Sequence, residues 1–208
     1  MGGGRPYARR MSAAERAPLQ RESIIAATRQ LIVDDGLESL TLRRLAAALG
    51  VTAPALYGHV KDKQDLLRAV AEDEFDRLLL RFEAVTATDP VARIRAYNHA
   101  YVTHARENPD TFRVMFLFPP DLAGAGDVPD DVVLPGATRA FTAAAEAVTD
   151  AVETGALNAD DPLLVALTLW STVHGVATVL QLGFGLPRDV EDALVDEVLD
   201  RVLAGYGA

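Results

Sequence analysis

The chain has 208 residues, half of them hydrophobic, no cysteine and a formal net charge of −10. That length holds one large or two small domains, and the missing cysteines exclude disulfides and thiolate metal sites, as expected of a cytoplasmic protein. The net acidity does not exclude a polyanionic partner, because residues 1–70 hold 11 Lys and Arg against 7 Asp and Glu (a balance of +4), whereas residues 71–208 hold 9 against 23 (a balance of −14). A polyanion feels the local field of one surface, since salt hides charges beyond about 8–10 Å.

Residues 1–17 are polar, basic and glycine-rich, unlike a secretory signal, and read as a flexible arm. Arg5, Arg9 and Arg10 make it either a solvated tail or an arm for a DNA minor groove. The first helix is predicted from near Pro18, with Ile24, Ile25, Ala27, Leu31 and Ile32 on its inner stripe and Gly36 at its end. Thr41 is the expected N-cap of a short second helix that buries Leu42, Leu45, Ala46 and Leu49 and stops at Gly50. Thr52 caps a third, from Ala53 to about Val60, with Pro54 in the first turn, where its missing N–H costs nothing. A fourth runs from Lys63 to about Val85, a fifth from Asp89-Pro90 to about Arg106, and a sixth from Asn108-Pro109 to Phe118. A Gly-, Asp- and Pro-rich loop to about Asp131 precedes helices near 134–155, 162–183 and 189–204.

Apolar spacing of 3.6 recurs throughout and period-two alternation is missing. The predicted fold is therefore all-α, about nine helices, with a three-helix head over 18–67 and a larger helical region over 68–208. No apolar run is expected to reach the roughly 20 residues that span a bilayer.

Two short helices joined at Gly50-Val51-Thr52 form a helix-turn-helix pattern, with Ala46 and Ala47 small enough for the crossing. The segment from Leu49 to Leu67 carries Gly-Val, then Leu-Tyr-x-His-Val-Lys-x-Lys, then Leu-Leu. With Thr41 to Leu49 before it and Gly36 closing the first helix, this stretch resembles the DNA-binding domain of the TetR family of repressors. The resemblance covers residues 18–67. It implies phosphate contacts from Thr41, Tyr57, His59, Lys61 and Lys63, and places Thr52, Ala53, Pro54 and Ala55 at base edges. Arg43 would reach a base from the second helix. Phosphate contacts set register and salt-dependent affinity, whereas base edges select sequence. Ala53 and Ala55 donate no hydrogen bonds, so thymine methyl contacts and DNA shape carry more of the selection.

Beyond residue 67 no catalytic grouping, P-loop or dinucleotide fingerprint is found, so neither an enzyme nor a cofactor is expected. His99 and His104 stand five apart on one helix, off the spacing of three or four that pairs ligands on one face, so no metal site is expected. Tyr97 and Tyr101, Phe112 and Phe116, and Trp170 and His174 are pairs one helical turn apart, readable as core or as the wall of a ligand cavity. The run Trp170-x-x-x-His174-Gly175 resembles a motif in the C-terminal domain of one TetR subgroup. The candidate ligand-binding residues are Tyr101, Phe112, Phe116, Trp170 and His174, an apolar wall with a polar handle. Ala166, Ser171 and Gly175, with Leu194, Val195, Val198, Leu199 and Val202 on the last helix, suggest the interface of a homodimer. The function these features imply is a cytoplasmic dimeric repressor released from operator DNA by a small-molecule effector. The alternative is a regulator without such an inducer, an activator or one gated by a protein.

Overall fold

The structure, a computed structural model, describes residues 19–118 and 134–207. The arm with Arg5, Arg9 and Arg10 and the loop over 119–131 lie outside these residues. Among the described residues every regular element is helical. In chain order they are α1 (Arg21–Asp35), a single 3-10 turn (Leu37–Ser39), α2 (Leu42–Ala48), α3 (Ala53–Tyr57), α4 (Lys63–Glu83), α5 (Pro90–Glu107), α6 (Pro109–Met115), α7 (Pro135–Glu153), α8 (Pro162–Leu180) and α9 (Arg188–Ala204).

Local capping explains most of these limits. Asp62, Asp89 and Asp161 accept the backbone N–H of Asp65, Ala92 and Leu163, and so start α4, α5 and α8. Proline occupies the first turn of α5, α6, α7 and α8, where its fixed φ suits the helix. Four limits differ by three residues from the sequence prediction: α6 stops at Met115 rather than Phe118, α8 stops at Leu180 rather than near 183, and the other two fall in the head. α1 begins three residues beyond Pro18, at Arg21, with no side-chain cap on Gln20. α3 ends at Tyr57 rather than near Val60, because Gly58 follows and the last turn tightens as His59 N–H reaches back to Leu56 O at 2.9 Å.

Two apolar cores form. The smaller gathers Ile24 of α1, Leu45 and Ala46 of α2, Leu56 of α3, Val60 and Leu66. Each such fully buried leucine contributes about 1.5–3 kcal/mol. The larger joins the remaining helices, with α4 packed on α6 and α7, α5 on α7 and α8, and α9 on α8. α4 belongs to both: Leu66 enters the small core, while Leu67, Val70, Phe75, Leu78 and Phe82 enter the large one. α9 is also laced to α5 by Arg95–Asp200 at 2.7 Å, His99–Asp196 at 2.8 Å and Arg106–Asp192 at 2.9 Å.

One expectation needs correcting. α8 is, by length and composition, apolar enough to cross a membrane. Its inner face is buried through Val165, Leu169 and Val173 against α5, α7 and α9. Leu163, Leu164 and Val179 on its outer face remain exposed. A second correction concerns the residues proposed for self-association. Ala166, Val195 and Leu199 are buried within the protomer's own core, whereas the expected Ser171 and Gly175 lie on an outward strip of α8 with Leu164, Thr168 and Thr178.

Candidate functional site

The head is shaped by one tight corner. Gly50 takes φ 66°, a left-handed conformation that costs glycine little. From there Gly50 N–H bonds to Ala47 O at 3.1 Å and Val51 N–H to Ala46 O at 2.9 Å, the Schellman closure of a helix end. Thr41 Oγ1 accepts Arg44 N–H at 3.2 Å and Thr52 Oγ1 accepts Ala55 N–H at 3.4 Å, so both threonines cap a helix. A capping hydroxyl still has its own proton, which points out to solvent or to a phosphate. With Leu56 turned inward, Thr52, Pro54, Ala55, Tyr57 and His59 are exposed together, and Tyr57 is 57% exposed.

The cations divide into two groups. Arg44 is paired with Asp35 at 2.6 Å and Arg21 with Asp65 at 3.3 Å. The half-buried Lys63 donates to the Leu37 carbonyl at 3.3 Å, tying the start of α4 to the 3-10 turn. Arg43 and Lys61 are exposed, and among the described residues neither side chain forms an ion pair. They are the head's freest positive charges.

Beneath the head lies a buried polar cluster. Glu74 of α4 is fully buried between Arg29 of α1, which donates to its Oε1, and His104 of α5, whose Nε2 lies 3.2 Å from Oε2. Arg29 also donates to Asn108 Oδ1 at 2.7 Å. Burial pushes the Glu74 carboxyl upward, but the adjoining His104 and Arg29 outweigh it and hold the group down to about 2.

In the larger core a cavity of about 70 Å³ opens between α4, α5, α7 and α8. A single buried water needs about 10–15 Å³ and an engineered cavity that binds benzene about 150 Å³, so a ring-sized ligand has to push these walls apart. α4 supplies Phe75, Leu78 and Phe82, α5 supplies Tyr97, Asn98 and Tyr101, and Phe116 lies just beyond the end of α6. Trp170 and Phe141 meet edge to face across the wall, with centroids 6.1 Å apart. No charged side chain lines it among the described residues. The Tyr101 hydroxyl stands 2.7 Å from His174 Nδ1. Burial pushes the Tyr101 phenol well above its usual range, offset only in part by the Trp170 indole, and lowers the His174 imidazole.

Comparison with known proteins agrees with both regions. Residues 24–70 match the family described as bacterial regulatory proteins, tetR family, and residues 94–202 match the tetracyclin repressor-like C-terminal domain. An uncharacterised helix-turn-helix transcriptional regulator of Mycobacterium tuberculosis is 33% identical over 208 residues, covering 98% of this chain and 89% of its own. This chain belongs to the TetR family of transcriptional regulators. The class C tetracycline repressor of Escherichia coli is 56% identical over 54 residues, 26% of this chain and 25% of its own. A TetR variant from Acinetobacter baumannii, solved with minocycline, superposes with a TM-score of 0.67 at 23% identity, covering 91% of this chain and 97% of that one. TetR regulators are DNA-binding transcription factors rather than enzymes.

Within this TetR fold, three of the five residues expected at a ligand site line the cavity: Tyr101, Phe116 and Trp170. Phe112 and His174 stand behind them. Phe112 is buried and packs edge-on to Tyr101 at 5.6 Å, while His174 bonds the Tyr101 hydroxyl. Sequence reading missed Asn98, Phe141 and the α7 wall of Ala137, Ala140, Ala144 and Val148. A stripe of small residues at helical spacing followed by valine was the available signal. It leaves room beside α7 that larger side chains would fill.

Proposed function

We propose that this TetR-family regulator is a cytoplasmic dimeric repressor, and that a small molecule entering the α4–α5–α7–α8 cavity releases it from operator DNA. One observation carries the reading. α4 is a single helix that places Leu66 in the core of the head and Phe75, Leu78 and Phe82 on the wall of the cavity. A ligand that shifts this wall tilts the same helix on which the head is mounted. Arg29 and Glu74 fasten α1 to α4, so the head follows as a unit. The extent of release equals the ligand's differential affinity for the two head separations.

In the dimer, α3 of each head enters the major groove, and two heads about 34–36 Å apart reach successive grooves on one DNA face. Thr52, Ala53, Pro54 and Ala55 face the bases, and Arg43 reaches one from α2. Thr41, Tyr57, His59 and Lys61 take phosphates, with Lys63 contributing its charge while it holds Leu37. The smooth outer strip of α8 supports pairing between protomers, because small side chains let two helices approach closely.

The test is anisotropy of labelled DNA from just upstream of the protein's own gene, across a salt series. Tight, sequence-dependent binding is expected, and Lys61→Ala should lower the salt slope by about one phosphate contact. Equal affinity for random DNA at every salt concentration would overturn the repressor reading.

A further inference from the structure

We infer that the cavity selects an uncharged ligand with a cyclic or aromatic hydrocarbon body and one hydrogen-bond donor, a hydroxyl or N–H, docked on Asn98. This rests on the proposal that the cavity is the effector site, and specifies its chemistry.

The wall excludes charge. Its ring carbons come from Phe75, Phe82, Tyr97, Phe116, Phe141 and Trp170, and no acid or base is among its described residues. Glu72 does not line the cavity, and its Oε1 accepts Gly136 N–H at 2.7 Å and faces Arg139 at 3.3 Å. An ionised ligand would therefore leave water with no counter-charge to meet it. The rings do not form a cation box either. Phe75 and Phe116 meet at 78° and Phe141 and Trp170 at 77°, while Phe82 and Tyr97 cover each other's faces at 4.5 Å. Cation–π attraction requires open faces.

The polar atoms on the wall favour a group that gives a hydrogen bond, such as a hydroxyl, over an ether. Asn98 donates one of its two Nδ2 protons to the Ile94 carbonyl at 2.8 Å, which leaves Oδ1 to accept and one N–H to give. Tyr101 is committed to His174 Nδ1 at 2.7 Å. Which of the two gives the proton follows the imidazole tautomer, so this pair sets no preference between ligand donors and acceptors. The Tyr97 hydroxyl rotates to give or accept and so discriminates against neither. A ligand offering only an acceptor meets the N–H but leaves Asn98 Oδ1 unmatched, whereas a hydroxyl answers both, and a polar group left unmatched costs affinity.

Trp170 is the sole tryptophan of the chain, so its emission reports on the cavity alone. The full-length protein is titrated with four probes that share a propylphenyl body: 4-propylphenol, 4-propylanisole, 4-propylbenzoate and (4-propylphenyl)trimethylammonium. The phenol is expected to bind about three- to tenfold more tightly than the anisole, the worth of one net hydrogen bond. It should bind at least about a hundredfold more tightly than either ion. Asn98→Leu should erase the phenol's advantage while the anisole binds as before. Binding of the benzoate or the ammonium as tight as the phenol's overturns this inference and leaves the effector cavity standing, as does an undiminished phenol preference in Asn98→Leu. Silence from all four probes, in emission and in thermal stability, overturns the cavity as a ligand site.

Discussion

Replacing Glu74 with glutamine tests how firmly the head is fastened to the body. The substitution keeps the volume and one acceptor for Arg29 but removes the charge. Glu74 is fully buried, so no solvent screening discounts its interactions. Its fall from an ordinary 4.5 to about 2 is equivalent to about 3 kcal/mol of stabilisation at neutral pH. That agrees with the roughly 3–5 kcal/mol lost when one partner of a buried ion pair is removed. The pH dependence has a definite sign. A carboxyl depressed in the fold contributes fully above its unfolded value of 4.5, and the contribution drains away as pH falls towards about 2. Urea unfolding of both proteins, at one protein concentration so that assembly does not shift the midpoint, should show a gap of about 3 kcal/mol at neutral pH. The gap should narrow steadily in acid. A loss under about 1 kcal/mol at neutral pH, or a gap that ignores pH, would refute the reasoning.

Two further outcomes follow from packing. Gly136→Ala places a Cβ 2.9 Å from Phe75 Cβ and 3.1 Å from Glu72 Cδ, so α7 must move off α4. A cost of about 1–3 kcal/mol is expected in thermal or urea unfolding, and an unchanged midpoint would show that the two helices separate freely. Leu164→Glu puts a charge on an outer α8 residue that is 59% exposed in the protomer. Sedimentation should then find monomers whose fold stability changes by no more than about 0.5 kcal/mol, with operator affinity lost. A variant that remains dimeric would move the interface elsewhere.

Helix limits and the corner at Gly50 were legible because they are set by neighbours in sequence: a capping Thr or Asp, a proline in the first turn, a glycine at the end. Tyr101, Phe116 and Trp170 were legible as one-turn aromatic pairs, but the spacing that flags a wall residue also flags Phe112, which is core. Only the packing of four helices decides which side of each ring faces open space. His174 shows the same limit: its neighbour in sequence, Gly175, says nothing of Tyr101, 73 residues away, which it bonds. Nothing in the sequence singles out Glu74, since its partners Arg29 and His104 come from two other helices. His99 and His104, rightly separated onto different faces, proved to have opposite fates, one exposed beside Asp196 and one buried beside Glu74. Val195 and Leu199 were misjudged because an amphipathic stripe does not say whether it meets its own chain or another.

The sharing of α4 between two cores bears on how such regulators can be recombined. A graft that takes a head ending at residue 67 carries Leu66 with its proper neighbours but severs Val70, Phe75 and Leu78 from theirs, and leaves Arg29 facing whatever replaces Glu74. A chimera that retains operator choice while acquiring a new effector therefore needs its seam placed away from this helix. Alternatively, α1 and α4 can be exchanged as one cassette, with position 104 of the recipient matched to the incoming acid. Modularity here belongs to the pair of helices, not to the head.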